Sequence, residues 1–240
     1  MRKLLFVIIS LSILTTSCMH IGGKKVRGNG VTSSQERNVG SFNRINVSGP
    51  IEVLITQSNT TSVKIEGDEN LLKYVEVEND GGELNIQPKK RYNLRPRSAL
   101  RVHISAPQYE FFGVAGSGKI KSLTQINNNN ELRIDIAGSG TIELNIDVPS
   151  IDSEISGSGT VILNGTTRNF KNEINGSGDV RAFNLLSENT EVEIAGSGDA
   201  EVYASKQLNV KISGSGDVAF KGNPVVKQST SGSGNIKKVD

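Results

Sequence analysis

The chain has no tryptophan, one cysteine and two histidines, and aromatic residues make up 5% of it. One cysteine cannot close an internal disulfide. The two histidines are far apart, at His20 and His103, so neither has a histidine partner nearby in sequence. No nucleophile motif is present, and no glycine loop followed by the lysine that grips a phosphate. Carboxylate pairs set up for glycoside chemistry are not evident either. The only long apolar run is Leu4 to Leu14, too short for a permanent span, which needs about 20 residues. Charge of one sign is not in excess. The 27 Lys+Arg face 25 Asp+Glu, and leaving out residues 1–17, with Arg2 and Lys3, gives 25 against 25. A near-neutral chain carries no broad electrostatic footprint for nucleic acid.

What is present begins at the N-terminus. Arg2 and Lys3 precede the apolar run, and small residues follow it, as in a signal peptide over residues 1–17. Leu14-Thr15-Thr16-Ser17-Cys18 resembles a bacterial lipobox, which makes Cys18 the expected lipidation site and mature N-terminus. Ser17 fits that pattern. Thr15 departs from it, because an aliphatic residue is usual three places before the cysteine, and a plain secretory signal is the alternative. Residues 18–38 have no hydrophobic period and are rich in Gly, Ser, Lys and Arg, which predicts a flexible tether. Lys24, Lys25 and Arg27 in it suit an anionic membrane surface or plain solvation.

From residue 39 the pattern is strand-like. Apolar and polar residues alternate over 51–55 and 63–66, and again over 75–78 and 83–86 around the turn Asn79-Asp80-Gly81-Gly82, a hairpin signal. Asp68 to Tyr74 reads as one helical turn, and Pro88 to Ser98 as a loop. Gly-Ser-Gly then recurs at 116–118, 138–140, 157–159, 176–178, 196–198, 214–216 and 232–234. A fixed period of about 18–22 residues marks a solenoid. Ser48-Gly49-Pro50 reads as a degenerate earlier copy.

Parity within the repeat predicts the geometry. Val192, Ile194, Gly196, Gly198, Ala200 and Val202 share one face, with Ser197 on the other. Inward glycines and outward serines fit a tight corner without room for side chains. The fold expected is all-β: a parallel solenoid of Gly-Ser-Gly corners, with polar turns at Asn164-Gly165, Ser187 to Asn189 and Asn127 to Asn130. Residues 39–110 form a less regular N-terminal part that caps one end, and residues 111–240 the regular coils. An antiparallel sandwich or barrel with hairpins at the glycines is the competing fold.

The lipoprotein start, the segment Phe42-Asn43-Arg44-Ile45-Asn46-Val47-Ser48-Gly49, the 75–86 hairpin and the Gly-Ser-Gly coils together resemble one bacterial family. It is the putative auto-transporter adhesin, or head GIN domain, family. The resemblance covers residues 39–240 and implies a right-handed parallel β-helix. It implies no catalytic residues.

Three features qualify as sites. Lys89, Lys90, Arg91, Arg95, Arg97 and Arg101 form a cationic stretch without an acid, suited to an anionic glycan or lipid headgroup, or simply a solvated loop. Asp179, Asp199 and Asp217 follow successive Gly-Ser-Gly tripeptides and would stack as a like-charge row. Solvation is the simple account of that row, and bridging calcium the weaker one. The outward serines, Ser177 and Ser197 among them, form a strip poor in side chains where a glycan or second solenoid could lie. The reading is a non-catalytic cell-envelope lipoprotein without cofactor, acting as an adhesion or interaction module. Its expected partners are a membrane through the anchor, and a glycan, surface polymer or other protein. The expected location is the outer membrane, facing periplasm or cell surface. A periplasm-facing structural or regulatory protein is the alternative, and a polysaccharide-acting enzyme the third.

Overall fold

The computed structural model describes residues 23–240, so the signal segment and Cys18 lie outside the described residues. Strand Glu131–Gly138 pairs in parallel with Thr141–Gly157, which pairs with Thr160–Gly176, which pairs with Asp179–Gly196. The same ladder continues through Gln207–Gly214 to Val225–Gly232. A second parallel ladder links Asp179–Gly196 to Asp199–Tyr203, Val218–Lys221 and Ile236–Lys238. The product is a β-solenoid of about seven turns. Hairpins at the glycines, which a sandwich would need, do not form.

The sequence builds this stack by repeating one packing rule. Val114, Ile136, Ile155, Ile174, Ile194 and Ile212 are register partners in successive coils, and each is 2% exposed or less. β-Branched side chains suit a pleated, buried surface. Burying each contributes about 1.5–3 kcal/mol before chain entropy is set against it. The glycines follow from the same row. A Cβ on Gly178 would lie 2.6 Å from Ile155 Cγ2 and 2.9 Å from the Gly159 carbonyl oxygen. The inward isoleucine of one coil thus sits under the second glycine of the next. The first glycine serves differently. Gly157 has φ +126°, and a Cβ there would lie 2.6 Å from the Gly138 carbonyl oxygen. The expected parity is therefore half right. The second glycine is buried, while the first is partly exposed and turns the corner. The serine between them faces solvent, and its N–H donates to the preceding coil, as Ser177 does to Gly157 at 2.8 Å.

The second corner differs from expectation. Asn164-Gly165 and Ser187 to Asn189 do not interrupt the chain as turns. They lie inside the long strands Thr160–Gly176 and Asp179–Gly196. Gly165, at φ +117°, bends the backbone while the ladder continues. At the third predicted turn, Ile126–Asn127 is a short strand and only residues 128–130 are free of one.

The N-terminal part closes one end. Ser48 pairs with Ala115, which makes Ser48-Gly49-Pro50 a true earlier corner. The predicted hairpin forms between Val75–Asp80 and Glu83–Pro88, and the helical turn is the 3-10 segment Leu72–Tyr74. Two expectations fail here. The tether is not coil over its second half. Lys24–Arg27 and Thr32–Arg37 are strands, the latter antiparallel to Ser62–Asp68. The loop from Pro88 to Ser98 contains strand Tyr92–Arg95, which pairs in parallel with Lys24–Arg27. Asp68 locks this region. Fully buried, its carboxylate accepts backbone N–H bonds from Gly30 (2.6 Å), Arg97 (2.8 Å) and Ser98 (3.0 Å). Burial raises its pKa, but the three donors outweigh that and hold it below the ordinary value.

The other end is closed by composition. Strand Val225–Gly232 is exposed along its whole length. Opposite inward Val210 and Ile212 stand Gln228 and Thr230. Lys237 and Lys238 put charge on the last strand. Polar and charged edges resist pairing with other chains.

Candidate functional site

The pairing of Lys24–Arg27 with Tyr92–Arg95 brings two basic stretches into one ribbon. Lys25 stands beside Asn93, and Arg27 is the register partner of Arg95. Lys24, Lys25, Arg27, Lys89, Lys90, Arg91, Arg95 and Arg97 are all exposed. None of them forms an ion pair among the described residues, and residues 1–22 contain no acid. Like charges side by side in a sheet cost stability. The local fold is nevertheless fixed. Lys24 N–H donates to the Arg91 carbonyl at 2.6 Å, and Asp68 pins the Arg97 amide. Arg91 holds φ +70°, rare for a side chain of this kind. Tyr74 and Tyr92 stack with centroids 4.5 Å apart, and Lys73 lies over the Tyr74 ring. Arg101, counted with this stretch from the sequence, does not join it. It lies in strand Arg101–Ala106 and pairs with Glu52 at 2.9 Å.

A groove of about 680 Å³ runs across the second corners of several coils. Amides and hydroxyls dominate it: Gln57, Asn127, Asn129, Thr166 and the guanidinium of Arg168. Gln57 ties its wall together, donating to the Pro107 and Asn127 carbonyls at 2.8 Å each and accepting from the Asn127 N–H. Both groove carboxylates are engaged. Asp147 accepts from Thr166 Oγ1 at 2.6 Å, and Glu188 pairs with Lys206 at 2.7 Å. The Lys206 hydrogen bond holds Glu188 below the usual carboxylate range. Sequence reasoning did not find this groove, because no motif contains it. Its one visible trace was the polar run Asn127 to Asn130.

The aspartate row has a backbone role. Asp199 Oδ1 accepts the Asp217 N–H, and Asp217 Oδ1 accepts the Asn235 N–H, each at 2.9 Å. Asp199 and Asp217 thus each tether the next coil, whereas Asp179 lies 3.9 Å from the Arg181 guanidinium. Among the described residues, no group of three or more His, Cys, Asp or Glu is arranged to hold a metal ion. His103 stands alone, within 3.5 Å of Glu66. The serine strip is exposed, and none of its serines lines the groove at the second corners. Cys18 lies outside the described residues. No helix among the described residues is long and apolar enough to cross a membrane.

These features define a capped parallel β-solenoid of the repeat-protein class, with an open polar groove and a cationic end. The chain belongs to the family described as putative auto-transporter adhesin, head GIN domain, whose model matches residues 41–224. No curated protein matches it. Among solved structures, one from Parabacteroides distasonis named a putative lipid binding protein is 28% identical. The match covers 90% of this chain and 100% of that one, with a TM-score of 0.75. A putative adhesin from Bacteroides fragilis is 22% identical, covers 89% and 100%, and has a TM-score of 0.80. A putative adhesin from Parabacteroides merdae is 22% identical, covers 90% and 100%, and scores 0.65. The last two are likenesses of fold.

Proposed function

We propose that the protein is a non-catalytic lipoprotein of the cell envelope, anchored through Cys18, whose coils act as an adhesion or interaction module. The observation that carries this reading is the engaged state of the groove. A hydrolase or lyase would set a pair of carboxylates there as acid and base, whereas Asp147 is held by Thr166 and Glu188 by Lys206. What remains in the groove is a set of amide and hydroxyl groups with the Arg168 guanidinium, suited to a hydroxyl-rich polymer such as a glycan. Family membership adds support for adhesion. The relative named a putative lipid binding protein adds support for contact with lipid.

The test is protease accessibility of residues 39–240 on intact cells, with lysed cells as control. Cleavage on intact cells supports adhesion and directs a glycan screen at the groove. Protection until lysis sinks the adhesion reading and leaves a periplasm-facing structural or regulatory protein.

A further inference from the structure

We infer that the cationic ribbon in the N-terminal part of the solenoid is a docking surface for the anionic headgroups of the bilayer. Four observations carry it. The ribbon concentrates eight exposed basic residues that no carboxylate pairs. It includes Arg27 and Arg95 side by side, an arrangement that costs the free protein stability and is relieved by an anionic partner. The ribbon lies in the N-terminal part of the stack, because Tyr92–Arg95 joins Glu83–Pro88 to Arg101–Ala106, the parallel coil nearest that end. Finally, the patch is where the chain arrives from its N-terminus. Five residues lie between Cys18 and Lys24, a reach of at most about 20 Å.

The chemistry suits a headgroup layer better than a single small ligand. The charges are spread along two strands and a turn, all of them on exposed side chains. The stacked Tyr74 and Tyr92 beside them are half-buried, with the amphipathic character that tyrosine brings to membrane interfaces. This inference rests on the lipid-anchor reading only for where the bilayer lies. The contact itself needs no acyl chain.

The experiment therefore removes the anchor. A chain starting at residue 18 with Cys18→Ser keeps every described element and carries no lipid. Its binding is measured by co-sedimentation with phosphatidylcholine vesicles, with and without phosphatidylglycerol, across a salt series. Binding should require phosphatidylglycerol and weaken as salt rises. Each basic residue near an anionic surface is worth about fivefold in affinity. The combined variant Lys25→Gln, Lys90→Gln, Arg95→Gln, Arg97→Gln should thus lose on the order of a hundredfold or more. All four side chains are exposed, and an unchanged circular dichroism spectrum and melt confirm that the variant folds. Lys227→Gln with Lys237→Gln and Lys238→Gln, at the opposite end, should bind like the parent. No binding to phosphatidylglycerol vesicles, or equal loss in both variants, overturns the inference. So does capture by a soluble sulfated polysaccharide in preference to vesicles, which would assign the patch to a glycan. Acylation of Cys18 is read separately, from the mass of the mature N-terminus in cells, so the anchor and the docking surface can fail independently.

Discussion

Asn172 is an asparagine where the repeat calls for a branched apolar side chain. Its register partners are Ser153 in one neighbouring coil and Val192 in the other, and beyond Ser153 stands Ile134. Asn172 and Ser153 are both fully buried, and Asn172 Oδ1, Asn172 Nδ2 and Ser153 Oγ have no hydrogen-bond partner. Leaving a buried polar group unpaired costs about 1–3 kcal/mol. Asn172→Val removes two such groups and restores the branched shape of Ile134 and Val192. The cost recovered is offset in part by imperfect packing around a side chain of different form. A net gain of about 2 kcal/mol is a conservative expectation. For a protein of this size that raises Tm by roughly 4–8 °C. The assay is thermal unfolding by circular dichroism at neutral pH, with Ser153→Ala alongside. Ser153→Ala relieves one unpaired group and should give a smaller rise. A fall in Tm for Asn172→Val would refute the reasoning, because it would mean that the amide is satisfied, by a buried water or by its neighbour.

Gly178→Ala should destabilise by about 2–3 kcal/mol, because its Cβ collides with Ile155 and with backbone, while Ser177→Ala should leave the melt unchanged. Combining Gly178→Ala with Ile155→Ala should cost less than the sum of the two single changes, since truncating Ile155 vacates the space; strict additivity would refute the packing rule. Asp68→Asn should cost about 3 kcal/mol and speed hydrogen exchange at the Gly30, Arg97 and Ser98 amides, because an amide group cannot accept from all three donors. Asp68 has a pKa below its ordinary value in the folded chain, so its stabilisation is complete above about pH 4 and is lost as pH falls through the folded value. The parent should therefore lose this increment on acidification below about pH 4, and Asp68→Asn should not; a parallel loss in both would assign it elsewhere. Chelation should leave Tm unchanged, since Oδ1 of Asp199 and of Asp217 already accepts a backbone N–H bond from the next coil, and a drop restored by added calcium would reverse that.

The coils were legible in the sequence because each repeats one physical demand. An inward β-branched residue, one spacer and Gly-Ser-Gly state where the core lies, where the chain bends and what sits beneath the bend. The hairpin at 75–88 was legible for a related reason, since its partners are neighbours in sequence around a glycine turn. The strands Lys24–Arg27 and Tyr92–Arg95 were not. Each is four residues long, they pair across more than sixty residues of chain, and their outward basic side chains show no alternation. Composition described them as tether and loop because composition cannot see a long-range parallel pair. Asn164-Gly165 misled in the opposite way. A dipeptide that ends strands in hairpins here bends a strand whose hydrogen bonds come from the coils on either side.

The same reasoning explains where the candidate sites fall. At a Gly-Ser-Gly corner the backbone of one coil lies against the backbone of the next, and a small serine is the one side chain it turns outward. That corner builds the stack but has little chemistry to offer a partner. The inward rows are occupied by the core. Variation is free only at the second corner, where loop lengths and side chains differ between coils, and at the ends, where the ladder stops. The polar groove lies at the first of these and the cationic ribbon at the N-terminal end. A scaffold this repetitive confines its recognition chemistry to the places where the repeat breaks, and those places are the hardest to read from the repeat itself.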